Sequence, residues 1–499
     1  MIGDLLALMP LAGLVVITTV FSELAVRKSW IPYWISRKIL HIVAIGSCAI
    51  APYFLENHKV LIAIVLPAWL LLLWLVSGKQ LMREENGRPA WGIVWFPPAY
   101  LLLLAITKTN ASFFVVYPML VLAIADPLAT IFGKCFAKRH YQLTGEPKSF
   151  IGNLGCILGF ILVVLICYAY EGGNWPPAMA WPTIVAGAVL ISVAEALGSY
   201  GKDNFYVPLL SLPIFALLHC YGQPPLVFPT LVLATVPFVI WAFRRQSLTL
   251  AGALSAGILG VLSGSFAGKI GLLPLLLFFA SSIAIGKLFP HHIPIGDDKH
   301  GKARDAFQVL ANGGPFGLLA VGYGIVLLCP HFFEPSAQMG EFRVDFTGAE
   351  SWVLAAMLVS MATATADTWS SEFGQYFAGK TYDLLRLKVV DPGLSGGVSW
   401  AGSLAGLLGA SLIAISGYFL LPAFQLKEFF FITLLGFGGM LVDSLLGSAF
   451  QRQYFDGSQW SDQPIGHAKG SIRGISWMTN DMVNLLANVI AIGLTYLLF

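Results

Sequence analysis

Two short stretches place a carboxylate where an apolar chain makes one costly. Ala125-Asp126 is followed by Phe132-Gly133, and Ala366-Asp367 by Phe373-Gly374, so each aspartate precedes a glycine by seven residues. Ionisable groups at membrane depth are expensive and point to function by default. Further carboxylates recur in the same order. Glu195 (VAEALGS) and Asp203 (KDNFYVPLL) follow the first motif; Glu372, Asp443 (LVDSLLGS) and Asp481 (TNDMVNLL) follow the second. Cations accompany them: Arg37, Lys38 and Lys148 in the first set and Arg304 in the second. Hard carboxylate oxygens at this density suit Mg2+, which also bridges phosphate oxygens. Arginine and lysine suit the phosphates, and a glycine-rich stretch such as PGLSGG (392–397) lets backbone N–H groups approach an anion. The chemistry this predicts is Mg2+-assisted phosphoryl transfer from a nucleotide, which needs positioning and charge neutralisation more than covalent catalysis.

The first set predicts that Asp126, Glu195 and Asp203 hold the metal or orient an acceptor hydroxyl. Lys148 and Arg37 neutralise phosphate, and His41 stands as a proton acceptor. In the second set Asp367, Glu372, Asp443 and Asp481 do the metal work, with Arg304 on phosphate and backbone donors from 393–397. Lys148 has no evident twin there; Lys380, Lys388 and Arg473 stand as replacements. Plainer structural readings sit beside these. Asp126 or Asp367 is also readable as a helix-end residue reaching water, Glu195 as a partner of Lys202, and His41 as a buried hydrogen-bonding histidine. The segment HHIPIGDDKHGK (291–302) lacks regular ligand spacing and reads as a solvated linker. The six cysteines form no CxxC pair and read as small packing residues rather than a disulfide framework.

The elements that must carry these residues are membrane helices. The 499-residue chain is 57% hydrophobic and 11% charged, where a soluble domain has about a quarter of its residues charged. Apolar runs long enough to span the roughly 30 Å hydrocarbon core recur from end to end. Sixteen candidate spans lie near 3–26, 36–54, 60–77, 91–107, 112–133, 150–170, 182–200, 205–221, 226–243, 249–265, 270–289, 312–329, 350–378, 397–422, 428–449 and 481–499. The first reads as a retained helix. With Met1 outside, only Lys59, Lys108, Lys269, Arg343 and Lys427 fall in outside loops, leaving 24 of the 29 Lys and Arg on the inside. Cytoplasmic loops carry that excess. The expected fold is thus all-α and polytopic, about 16 transmembrane helices, with both termini outside and the motif loops on the cytoplasmic face.

The motifs recur in one order and one membrane orientation. RKILHIVAIGS (37–47) pairs with RDAFQVLANGG (304–314), the two Ala-Asp motifs follow, then GEPKSFIGN (145–153) with DPGLSGGVSW (391–400), and then the Glu195/Asp443 and Asp203/Asp481 stretches. This predicts two same-orientation halves, 1–245 and 246–499, divided near Arg244-Arg245.

Residues 1–245 resemble the CTP-dependent polyprenol kinases, meaning dolichol kinase and especially phytol kinase. The matching residues are Arg37-Lys38 with His41, Ala125-Asp126 with Gly133, Lys148-Ser149 with Gly152, Glu195, and Asp203-Asn204 with Pro208. Ile151 stands where that family usually has Glu, and Asn153 where Ser is common. Residues 246–499 resemble the membrane family that includes the plant phytyl-phosphate kinase and the transmembrane protein 19 type. The match runs through Arg304, Gln308 to Gly314 (including Asn312), Ala366-Asp367 to Glu372 (including Ser370), Gly393, Ser395-Gly396-Gly397, Asp443-Ser444, Asn480-Asp481 and Asn484.

These resemblances imply that the first half phosphorylates an isoprenoid alcohol with CTP as donor, and that the second phosphorylates the monophosphate. Mg2+ is the implied cofactor. Arg37, Lys38, Lys148, Ser149, Gly152 and Asn204 are the implied nucleotide and phosphate contacts in the first half. Arg304, Gln308, Asn312, Ser370, Ser395, Gly396, Gly397, Asn480 and Asn484 are their counterparts in the second. Asp126, His41 and Asp367 are the implied catalytic groups. The expected partners are membrane lipid, the isoprenoid substrate and a nucleotide, with no nucleic acid; protein partners are not specified. The expected location is a bacterial inner membrane or a plastid-type membrane. Two other classes fit the same residues: a cytidylyltransferase making a CDP-lipid, and a transporter with parallel repeats. Carboxylates gathered at one membrane edge rather than at mid-membrane favour the enzyme.

Overall fold

The computed structural model describes residues 2–55, 59–78, 89–106, 112–172, 176–220, 226–289, 303–329, 349–377, 379–455, 460–462 and 472–499. The histidine-containing segment 291–302, Lys108 and Arg343 lie outside the described residues. The fold is all-α and membrane-spanning, with short β-hairpins in the connections. Its helices are α1 (Ile2–Arg27), α2 (Tyr33–Ile50), α3 (Lys59–Leu73), α4 (Gly92–Ile106), α5 (Tyr117–Phe136), α6 (Phe150–Tyr170), α7 (Trp181–Leu197), α8 (Asp203–Cys220), α9 (Val227–Arg244), α10 (Leu250–Leu288), α11 (Ala306–Leu328), α12 (Ala349–Tyr376), α13 (Trp400–Leu420), α14 (Leu426–Phe450) and α15 (Asn480–Leu498).

Each expected span falls on a helix. The runs near 249–265 and 270–289 both lie in α10, broken at Gly268, whose φ of 58° only glycine adopts freely. Among the described residues, 13 helices are long and apolar enough to cross a membrane, with α4 apolar but shorter. The 28-residue α12 is not counted among them. It is instead sheathed by protein: Ala355 to Ala366 are buried without a break.

The chain divides into two compact units. One is Met1–Thr230 with the described residues of Ile325–Gln338; the other is Leu231–Gly324 with Met339–Phe499. The division expected at Arg244-Arg245 therefore moves forward, and most of α9 goes to the second unit. Ala242 on α9 closes a small core with Leu248 and Ala253, into which Phe238, Val239, Phe279 and Val309 pack. In the first unit α5 is central, packed along α2, α6 and α8. In the second α12 is central, packed along α13, α14, α15 and α10.

The cysteines depart from expectation. Cys220, ending α8, is disulfide-bonded to Cys329, just past α11. Their separation of 109 residues left no pattern for sequence to reveal. Cys48, Cys135, Cys156 and Cys167 are free.

Small strands shape the connections. β1 (Tyr141–Gln142) pairs with β2 (Pro147–Lys148) in the register Tyr141↔Lys148. β3 (Thr381–Asp383) lies between β4 (Val389–Val390) and β5 (Gly397–Val398), and β6 (Gln453–Phe455) between β7 (Trp460–Ser461) and β8 (Ile472–Arg473).

Candidate functional site

Asp126 sits in the buried stretch of α5, where its carboxylate needs compensation. The Lys38 ammonium, from α2, donates to both of its oxygens at 3.0 and 2.8 Å. His41, one turn further along α2, places Nε2 3.3 Å from Asp126 Oδ2 and 3.1 Å from the Leu122 carbonyl. Facing two acceptors, Nε2 carries the proton and donates. His41 accepts a proton only through Nδ1, which narrows the role expected of it.

Lys148 reaches the same place from the β1–β2 hairpin. Its Nζ lies 2.6 Å from Glu195 and 3.7 Å from Asp203, so the alternative pairing of Glu195 with Lys202 does not form. Burial alone would lower the Lys148 pKa; Glu195 and then Asp203 outweigh it and hold the ammonium above the ordinary lysine range. The hairpin is pinned to the end of α7, where Thr144 donates to the Leu197 carbonyl and the Tyr200 N–H to Glu146. Gly198 makes the turn between α7 and α8, because a Cβ there would sit 2.4 Å from the Asp203 nitrogen. That close turn brings Asp203 back beside Glu195. One ligand atom each from Asp126, Glu195 and Asp203 then lie within 4.8 Å of one another.

The other residues expected at this site serve as its frame. Ser149 caps α6 by accepting from the Gly152 N–H at 3.0 Å. Asn204 donates to the Gly92 carbonyl, tying α8 to α4. The Arg37 guanidinium lies 6.0 Å from the Tyr33 ring, leaving Lys38 as the α2 cation on the carboxylate.

In the second unit Arg304 is fixed by its backbone. Its carbonyl accepts from the Thr249 N–H and its N–H donates to the Ser247 carbonyl. Burial lowers the guanidinium pKa, opposed by the nearby charges of Glu372 and Asp367. Asp443, Asp481 and Asn484 are buried. The Asn484 amide, nitrogen turned inward, donates to Asp443 Oδ2 at 2.9 Å and to the Asn480 carbonyl at 3.0 Å. Among the described residues no three carboxylates of this unit converge as those of the first do. Gln308 is spent differently from expectation: it exchanges hydrogen bonds with Asp305 in a box that caps α11. Asn312 donates to the Gln308 carbonyl.

The helix pairs bearing the Ala-Asp motifs are built alike. A Cβ at Gly133 would meet Ser149 Oγ at 3.2 Å and Gly152 at 3.7 Å; one at Gly374 would meet Ser399 Oγ at 3.1 Å and Gly402 at 3.8 Å. Ser399 caps α13 through the Gly402 N–H, as Ser149 caps α6, and Ser370 lies against Gly402. The partner of Lys148-Ser149 in this arrangement is Val398-Ser399, so hydrophobic Val398 stands at the lysine's place.

Sequence comparison bears on the family. The profile of the integral membrane protein family DUF92 matches residues 233–492. The chain belongs to the DUF92 family. It is 30% identical over 202 residues to a phytol kinase of Synechocystis sp., covering 40% of this chain and 83% of that one. An uncharacterized membrane protein of Methanocaldococcus jannaschii is 30% identical over 210 residues, 42% of this chain and 77% of that one. Protein VTE6, chloroplastic, of Arabidopsis thaliana is 30% identical over 127 residues, 26% and 32% of the two chains. No solved structure matches.

This DUF92 chain also holds a polar cap that sequence reasoning missed. Asp383 accepts from Ser448 Oγ at 2.7 Å, from the Arg386 N–H at 2.7 Å and from its guanidinium at 3.0 Å. Burial works against its charge, but these donors outweigh it and hold the carboxyl below the ordinary range. Ser395 donates its N–H to Asp462 and its hydroxyl to Gln451, while the Gly397 N–H goes to the Leu394 carbonyl. Gly396, at φ 87°, presses on Ser448. The glycine loop thus spends these donors on its own fold rather than presenting them to an anion. Short strands and isolated polar residues gave no periodic signal for this cap.

Proposed function

We propose that this DUF92 protein is a bifunctional membrane isoprenoid kinase. The first unit phosphorylates phytol or a related prenyl alcohol with CTP, and the second phosphorylates the monophosphate to the diphosphate. The observation that carries this reading is the convergence of Asp126, Glu195 and Asp203 with Lys38 and Lys148 inside a membrane bundle. Similarity to a phytol kinase supports it.

The donor set fits Mg2+, since all three ligands are carboxylate oxygens and their charge exceeds that of the two lysines by one. Bound there, the ion would neutralise charge on the transferred phosphoryl group and its leaving oxygen. Lys38 and Lys148 then turn from carboxylate to phosphate oxygens, so that no charge is left unpaired. The alcohol oxygen bonds to the γ-phosphorus as the β–γ bridge breaks, CDP leaves, and the hydroxyl proton passes to Asp126. His41 holds the Asp126 carboxylate in place through Nε2–H. In the second unit Arg304 takes phosphate charge beside Glu372 and Asp367, and Asn484 fixes Asp443. A prenyl tail lies in the bilayer while CTP arrives from the cytoplasm, and the charge sorting puts the motif loops on that face.

The test is product analysis. Purified protein receives geranylgeraniol or phytol, Mg2+ and γ-labelled CTP. Labelled monophosphate and diphosphate are expected. Asp126→Asn should lower monophosphate formation at least about 100-fold, and Asp367→Asn should halt the pathway at the monophosphate. Release of pyrophosphate with no labelled lipid would replace this reading with a cytidylyltransferase.

A further inference from the structure

The second unit holds a half-open cavity of about 260 Å3 between α9, both arms of α10 and the start of α11. Its walls are apolar, with Phe238, Leu259, Leu272, Leu275 and Phe279 prominent. Its width comes from missing side chains: Gly257, Gly260 and Gly313 line it, and a Cβ built on Gly260 meets nothing closer than 3.9 Å. Polar groups stand on α11 and just before it, namely Gln308 and Asn312 on the helix and Arg304 ahead of it. Gln308 and Asn312 are committed to α11 itself. Arg304 differs: among the described residues its guanidinium makes no hydrogen bond, and it lies 6.0 Å from the Phe278 ring. A cation with unspent donors at an apolar chamber fits a ligand with an anionic head and a hydrocarbon body.

We infer that this cavity binds the hydrocarbon chain of the prenyl monophosphate, with its phosphate on Arg304. The inference rests on the kinase reading above and assigns the second substrate a place. Position along α10 gives a ruler. Gly252 packs on the Arg304 carbonyl, where a Cβ would sit 2.4 Å away. Gly260 lies eight residues further, about 12 Å at the helical rise. A dimethylallyl chain ends short of Gly260, whereas a geranylgeranyl chain must pass it. Gly260 therefore sets chain length, and a bulky residue there closes the far part of the chamber.

A phospholipid shares the same phosphate-and-chain chemistry, so the experiment separates the two. Full-length protein in phosphatidylcholine nanodiscs is photolabelled with diazirine-bearing geranylgeranyl monophosphate, and the labelled peptide is mapped. Labelling is expected within 231–313, competed by farnesyl monophosphate and not by phosphatidic acid. Gly260→Phe should cut labelling at least tenfold and raise the KM for geranylgeranyl monophosphate more than that for dimethylallyl monophosphate. Leu276→Phe, filling from the opposite wall, is the second variant should Gly260→Phe misfold; melting temperatures identify that case. Labelling elsewhere, equal competition by phosphatidic acid, or labelling unchanged in a folded variant overturns the inference. Labelling as expected without conversion of any monophosphate would leave the cavity standing and remove the kinase reading instead.

Discussion

Lys148 and Val398 occupy matching places before matching helix caps, yet one is a part-buried cation and the other has no charge. Lys148 is the shared partner of Glu195 and Asp203. Removing one member of a buried charge cluster leaves the others uncompensated, at about 3–5 kcal/mol. Lys148→Met should therefore lower alcohol phosphorylation at least about 100-fold, a loss of roughly 2.7 kcal/mol or more in transition-state stabilisation. Conversion of added monophosphate should not change, because Val398 offers no equivalent charge. Parallel assays with the alcohol and with the monophosphate check both halves of the statement; equal loss of both activities would show that the two units share this lysine. The residue types of this cluster were legible in the chain, since carboxylates and lysines stand out against apolar runs. Which lysine meets which carboxylate was not legible. Lys38 rather than Arg37 reaches Asp126 because adjacent helical residues point about 100° apart, and only packing decides which faces α5.

At the scale of elements, the Ala-Asp helices are set by glycine contacts with the helices that follow them. A Cβ on Gly159 of α6 would sit 2.6 Å from the Ala125 Cα, and one on Gly409 of α13 would sit 3.1 Å from the Thr365 carbonyl. A leucine at either place overpacks the seam, at about 1–3 kcal/mol, and shifts the turn that carries the aspartate. Gly159→Leu should reduce monophosphate formation by about tenfold or more while conversion of added monophosphate persists, since small misplacement of reacting groups is costly. Gly409→Leu should do the reverse. Lipid product ratios resolve the two cases, and a common loss would indicate general unfolding. The helices themselves were readable from apolar run lengths. The α10 break needed both the runs flanking Gly268 and the structure, which shows how closely its two arms follow one another. The β-hairpins were unreadable, because two- and three-residue strands leave no alternating pattern.

For the whole molecule, the disulfide and the charge sorting make one joint prediction. Cys220 and Cys329 lie on the side that the Lys/Arg asymmetry assigns to the outside, where an oxidising compartment sustains such a bond. Cys135, exposed at the end of α5, falls on the basic side. In sealed, right-side-out vesicles a membrane-impermeant reductant followed by an impermeant maleimide should label Cys220 and Cys329, and Cys135 only after permeabilisation. The inverse pattern would reverse the topology. Reduction should also lower the melting temperature, since closing a loop of this length restrains the unfolded chain by about 4–5 kcal/mol in the entropic account.

The sequence by itself determined that this is a polytopic helical membrane protein, because burying backbone in lipid demands helices and apolar runs declare their length. It also determined the order in which the carboxylate motifs recur. Only the tertiary structure decided where α9 belongs, because the choice rests on Ala242 meeting Leu248 and Ala253. Only the tertiary structure gathered Asp126, Glu195 and Asp203 and paired Cys220 with Cys329. Convergence of residues far apart in the chain depends on helix packing and on turns such as Gly198, and no local signal encodes it.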